Sequence, residues 1–490
     1  MPEFLRRRVV GTGLAVLLFG CGNTDDGPDF PGILTIRASL GFQGKEGNGT
    51  SGEPSGGASA ISISKDGRYV VFGSDSTNLI ANDTNNARDV FLRDTISNST
   101  VLVSASTTGA PGNDGSDNPS LSSDGRYVAF ESKATNLVTS PAVSAGVKQV
   151  YRWDRETGAM ILISQALNSG TPTSGNDESK NPTISNDGDL VAFETKADNL
   201  DGTTGGAGPG DPDHSADGRF DIYVRAVVAA TTTLLSRVTS GGAKGDGDSR
   251  NPAISPNGEF VAFDSRATNL VVVSDPGGLD TNTKIDVFVR HLTGSLETRR
   301  VSLDTASGNA DGDSKIPAIS DVSSTGDVYV AFQSFATDLI TGDTNAVPDV
   351  FVVNAKSFFT GTPTVTLAQR VSVTSAGNQV GEGLVVGSTV EVHEGVSISH
   401  DGRYVGFGSQ APDVVADDTN RTGDVFVRDR TLGATVRVSV RTLGTQPSGI
   451  SDFSALSGDG RFVAFISLSS DVVEHDENGA IDVFVRGPLK

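Results

Sequence analysis

Five stretches of this chain place side-chain oxygens at one repeated spacing. "DTNNARD" supplies Asp83, Asn85 and Asp89, and "DTNTKID" supplies Asp280, Asn282 and Asp286. "DTNAVPD" gives Asp343, Asn345 and Asp349, "DTNRTGD" gives Asp418, Asn420 and Asp424, and "DENGAID" gives Asp476, Asn478 and Asp482. A sixth, enlarged stretch, "DPDHSADGRFD", carries Asp211, Asp213, Asp217 and Asp221. Hard oxygen donors at the first, third and seventh places of a tight turn suit Ca²⁺, which makes calcium the candidate cofactor. The loop is not an EF-hand, because it lacks the glycine at six and the bidentate glutamate at twelve.

The same residues have a use that needs no ion. Asp and Asn at turn starts accept hydrogen bonds from the backbone two residues on, and an Asp before a strand can cap the loop. The equivalent stretch "SPAVSAGVKQVYRWD" has no acid before its strand, so the acids are not required for that strand to form. Both readings stand at this point.

No catalytic residue can be assigned. The five histidines are His214, His291, His393, His400 and His475, and none stands in a metal-ligand pair. No nucleophile elbow or phosphate loop is present. "EVHEG" breaks the repeat with Glu391, His393 and Glu394, and reads as a solvated loop.

These loops recur because the whole chain recurs. The signature S-x-D-G-R-Y-V-A-F ends at Phe72, Phe130, Phe193, Phe263, Phe332, Phe407 and Phe465, at spacings of 58, 63, 70, 69, 75 and 58 residues. A second signature, D-V-F, centres on Val90, Val150, Ile222, Val287, Val350, Val425 and Val483. Seven copies of that length with short β runs indicate a propeller rather than a helical solenoid. In the sixth copy, strand A is 396–399, strand B is 403–409, strand C is 424–429 and strand D is 434–440. Asp-Gly makes the A–B hairpin, and the acidic loop joins B to C. The B–C and D–A loops then share one rim, whereas Arg68, Arg126, Arg403 and Arg461 follow the A–B turns on the other. The last copy stops after strand C, and residues 33–40, "ILTIRASL", read as its missing strand D. The expected fold is all-β: a closed seven-bladed β-propeller with four-stranded blades, completed by the N-terminal strand so that no sheet edge is left open.

The paired signatures resemble the β-propeller repeats of TolB and its bacterial relatives over residues 33–490. That resemblance implies a propeller fold and is weak as a guide to role. The chain departs from TolB in having seven copies, longer repeats and no preceding α/β domain.

Residues 1–20 read as a signal segment, with Arg6, Arg7 and Arg8 before an apolar run that is too short to span a bilayer. Gly20 and Cys21 follow in the order of a bacterial lipoprotein signal, so Cys21 is the candidate lipidation site and membrane contact is through that lipid only. It is the one cysteine, which excludes an intrachain disulfide. Gly22 favours the outer membrane or cell surface, and without acylation the expected location is periplasmic or secreted. Residues 21–32 read as a flexible tether, and 33–490 as the propeller.

The formal charge is −22, and the first twenty residues hold three Arg and one Glu, leaving −24 on the rest. So acidic a surface repels phosphate backbones, which argues against nucleic acid as a partner. Two functions remain: a monomeric scaffold binding protein or polysaccharide through one rim, or a hydrolase or lyase acting on a polymer at the channel mouth. Propeller enzymes gather unusual residues at one mouth. Here the repeat-breaking residues are scattered over copies two, three and six, which favours binding.

Overall fold

Copies 1, 2, 6 and 7 open on the hairpin that S-x-D-G-R builds. Ser64 Oγ donates to Asp66 and accepts from the N–H of Tyr69, while the Arg68 N–H donates to the same Asp66 oxygen. Gly67 turns the chain with φ +76°, where a side chain would be strained. The set recurs at Ser122–Asp124, Ser399–Asp401 and Ser457–Asp459.

The structure is a computed structural model describing residues 34–53, 61–166, 172–200, 217–238 and 244–489, except 276, 294–295, 346, 360–366 and 382–394. The signal segment, Cys21, the tether, Asp211, Asp213, His214 and the Glu391–His393–Glu394 group lie outside the described residues. Among the described residues, no helix is long and apolar enough to cross a membrane.

Seven antiparallel four-stranded sheets form the seven blades of a β-propeller. Blade 1 runs Ile61–Ile63, Tyr69–Ser74, Asp89–Asp94 and Ser99–Leu102. In blade 7, Ser451–Leu456, Val463–Ser467 and Asp482–Gly487 are joined by Leu34–Arg37 as the outer strand. Its register sets Leu34 against Gly487 and Arg37 against Phe484.

Strands B and C are buried along almost their full length, since neighbouring blades cover both faces. The signature aromatics meet in register, Phe72 against Phe91 and Phe407 against Phe426. Seven such pairs, with Tyr151 and Tyr223 replacing Phe in blades 2 and 3, lie 5.7–6.4 Å apart between ring centroids. They form the repeated centre of the core.

Contacts between blades use the same residues again. At five of the seven junctions the aromatic after the turn packs on the turn glycine of the next blade. A Cβ on Gly125 would sit 2.2 Å from Tyr69, one on Gly460 2.3 Å from Tyr404, and one on Gly67 2.3 Å from Phe462. Buried acids of strand B hold the next blade's strand A at its bulge, with Glu131 accepting from the Asn181 N–H, Glu194 from Asn251 and Asp264 from Ile316. Backbone bonds link the A–B turns, among them Lys65 to Ser123, His400 to Gly458 and Asp459 to Lys65. The last of these joins blade 7 to blade 1.

Candidate functional site

The acidic B–C loops are built from three positions with three separate tasks. The last acid of each loop opens strand C and is buried at Asp89, Asp221, Asp286, Asp349, Asp424 and Asp482. Each accepts a hydrogen bond from a serine at the end of strand D, at 2.5–2.8 Å, from Ser104, Ser236, Ser302, Ser372, Ser439 and Ser39 respectively. Each serine oxygen in turn accepts from the N–H just after its acid, as Val90 does to Ser104 and Val425 to Ser439. Strand D is thus fastened to the start of strand C.

The asparagine fastens the loop. Asn85 Oδ1 accepts from the N–H of Ala87, two residues on, and its Nδ2 donates to Asp89 and to the Gly112 carbonyl in the D–A loop. Asn282, Asn420 and Asn478 make the same turn, and their Nδ2 atoms reach Ala310, Pro447 and Gly47. Asn345 bonds Val380 likewise. Blade 2 does both tasks with one side chain. Gln149 accepts from Ser164 and donates to the Gly175 carbonyl, which is how that blade forms without an acid.

In blades 3 to 7 the first acid of the loop faces a base. Arg300 lies 3.4 Å from Asp280 and 3.6 Å from Asp286. Arg370 lies between Asp343 and Asp349, Arg437 between Asp418 and Asp424, and Arg37 between Asp476 and Asp482, all within 4 Å. In blade 3 the base is Lys244 from the D–A loop, 2.7 Å from Asp221 and 3.4 Å from Asp217. In blade 7 Glu46 joins the cluster, and carboxylate oxygens of Glu46, Asp476 and Asp482 lie within 4.8 Å of one another. Burial, followed by the neighbouring carboxylates, pushes Asp476 up to about 7 despite Arg37.

These bases went unnoticed in the sequence, though a signal was there. "RAS" at 37–39 and "RVS" at 300–302, 370–372 and 437–439 set the arginine two residues before the serine each time. On a strand that spacing puts both on one face, towards the acids. On the opposite rim, Arg68, Arg126 and Arg403 are also paired, with Asp94, Asp154 and Asp429.

The rim of B–C and D–A loops presents what this framework leaves over. Leu443 is 86% and Val273 77% exposed, and Leu279, Phe335 and Leu468 are exposed on B–C loops of blades 4, 5 and 7. Two adjoining grooves, of about 640 and 680 Å³, share Thr442, Val473, Glu474 and His475. The further wall of one includes Thr35, Arg93 and Asn98, the last in a C–D turn of the opposite rim, and that of the other includes Arg441, Leu443 and Asp471.

The fold and this rim define a seven-bladed β-propeller with loop-borne grooves. No protein-family model and no curated protein matches the chain. Among solved structures it is similar to an oligogalacturonate lyase in complex with manganese, at 10% identity and TM-score 0.46, covering 94% of this chain and 96% of that one. It is also similar to the TolB protein of Acinetobacter baumannii, at 13% identity and TM-score 0.36, covering 87% and 81%. A putative TolB from Agrobacterium tumefaciens aligns at 14% identity and TM-score 0.36, over 79% and 93%.

Proposed function

We propose that the protein is a lipid-anchored β-propeller of the bacterial cell envelope that holds a protein or glycan on its B–C and D–A rim without transforming it. The observation that carries this reading is the pair of adjoining grooves around residues 470–477, with Leu443 exposed on their border. Clefts of this size bury a sugar unit or a peptide side chain, and loops on a rigid ring are where propellers carry recognition. The loop acids support the reading in another way. They are engaged in holding serines, turns and arginines, so ligand contact falls to the side chains that stand outside them.

The test uses Cys21→Ser to obtain soluble protein, with fractionation first. Acylation predicts that this variant leaves the membrane fraction, and an unchanged membrane fraction removes the lipid anchor from the proposal. Soluble protein is then titrated with envelope polysaccharides and basic peptides. Binding that is lost in Leu443→Glu but kept in Val228→Glu, on the opposite rim, supports the scaffold reading. Shortening of a polymer, or appearance of an unsaturated sugar product, would replace it with the enzyme reading.

A further inference from the structure

Every other loop that keeps its paired acids sets a base between them, and blade 1 is the exception. Blades 3 to 7 each set a lysine or arginine between two carboxylates. Blade 2 has dropped both signs together, with Gln149 in the acid position and Leu162 in the arginine position. Blade 1 keeps both acids, Asp83 and Asp89, but the arginine position is Leu102, two residues before Ser104.

The second source of a base is closed as well. Isolated bridges align the D–A loop position across blades, pairing Arg237 with Lys244, Leu303 with Asn309, Val373 with Gln379 and Ala105 with Pro111. Where blade 3 offers Lys244 and blade 5 offers Gln379, blade 1 therefore offers a proline, with neither charge nor N–H. Arg88, the nearest base in sequence, is turned to Asp75 and Asp117.

What remains is a carboxylate pair shut away from water. Each oxygen of Asp83 exposes less than 1 Å², no side chain bonds it, and only the Asn85 N–H approaches it. Asp89 is fully buried, held by Ser104 and Asn85 through one bond to each oxygen. Two such groups repel each other and have lost hydration, and in blades 3 to 7 a cation offsets both costs. Burial raises both acids, and the charge of Asp83 adds to the shift of Asp89, so the two carboxylates sense one another.

We propose that blade 1 binds a hard divalent cation, calcium at extracellular concentrations, between Asp83 and Asp89, in the place that other blades fill with a guanidinium or ammonium group. The donors are oxygen only, which selects a hard ion over a thiolate- or imidazole-seeking one. Calcium tolerates irregular oxygen shells completed by carbonyls and water, whereas magnesium demands a small octahedral one. The site needs no rearrangement of the other loops. It also explains why blade 1 keeps acids after losing its arginine, while blade 2 keeps neither.

The experiment is a calorimetric titration of the whole protein with calcium chloride, paired with thermal melts in chelator, calcium or magnesium at matched ionic strength. One calcium per chain is expected, with a dissociation constant of about 10⁻⁴–10⁻³ M, as for extracellular sites, and a rise in Tm specific to calcium. Leu102→Arg supplies the missing charge from within, so its Tm in chelator should rise above that of the unaltered chain and its calcium response should vanish. Asp83→Asn should abolish binding without adding an arginine, and decides the matter if Leu102→Arg does not fold. Asp114→Asn, an exposed acid on the same rim, should retain one site. Equal responses to calcium and magnesium, or calcium binding that survives Asp83→Asn, would overturn the proposal.

Discussion

The hydroxyl of Ser39 donates to the carboxylate of Asp482, a hydrogen bond that spans 443 residues of chain. Ser39 Oγ also accepts from the N–H of Val483, and Thr35, four residues earlier, donates to the Val440 carbonyl of blade 6. The N-terminal strand is therefore attached to two blades by side chains as well as by its ladder. Ser39→Ala leaves a buried carboxylate one donor short. The expected loss is about 1.5–3 kcal/mol in urea unfolding, the range for hydrogen bonds to charged groups. Ser104→Ala should cost a comparable amount, because it breaks the same bond inside a continuous blade. A loss confined to Ser104→Ala would show that the N-terminal strand contributes little to the ring.

Gly402 and Gly444 separate backbone strain from packing. Both have positive φ, +70° and +85°. A Cβ on Gly444 meets nothing within 4 Å, whereas one on Gly402 would lie 2.2 Å from Tyr329 of the preceding blade. Gly444→Ala should cost about 1–2 kcal/mol from the left-handed backbone alone. Gly402→Ala should cost that plus about 1–3 kcal/mol for displacing the ring. Equal losses in chemical denaturation would mean the aromatic–glycine contact does not bind blade to blade.

Gln149→Asp tests the neutral blade. The substitution keeps the acceptor for Ser164 but loses the donor to Gly175 and puts a charge opposite Leu162. At pH 7 the expected destabilisation is about 2–4 kcal/mol, for an unpaired buried charge and a lost bond. It should shrink at pH 5, where the new carboxyl can take a proton. A pH-independent loss would point to shape rather than charge.

Stability should fall between mildly acidic and neutral pH. Burial raises Asp89 and Asp424 to about 6 and Asp286 to about 7. Unfolded aspartate titrates near about 3.9, so between these values the folded chain holds more protons than the unfolded one. The stability these groups contribute is complete below the unfolded value and is lost as pH rises through the folded ones. Asp94 and Asp154 act oppositely, since hydrogen bonds from Arg68 and Arg126 lower them, Asp154 to about 2. Their contribution is present above the unfolded value and disappears as pH drops towards 2. Melts in chelator should therefore give the highest Tm between about pH 4 and 5, declining towards pH 7.5. A Tm that climbs steadily to neutrality would contradict the assigned burial of the loop acids.

The sequence alone was enough for the seven blades and for the B–C loop as the recurring unit. The reason is that these are local or periodic facts. An Asp-Gly hairpin, an apolar strand covered on both faces and a return every 58 to 75 residues each leave a mark in adjacent letters. The Asx turns of Asn85, Asn282 and Asn420 were readable for the same reason, since donor and acceptor are two residues apart. Partnership between distant residues was left to the tertiary structure. Arg37 meets Asp476 and Asp482 only because strand D of the last blade comes from the first residues of the propeller, and Arg300 meets Asp280 only after strand D folds back along strand C. Such pairs show no spacing rule until the register is known. Leu102 becomes informative in the same way. As a letter it is one more apolar residue in a strand, and only the aligned blades reveal that it stands where a charge belongs.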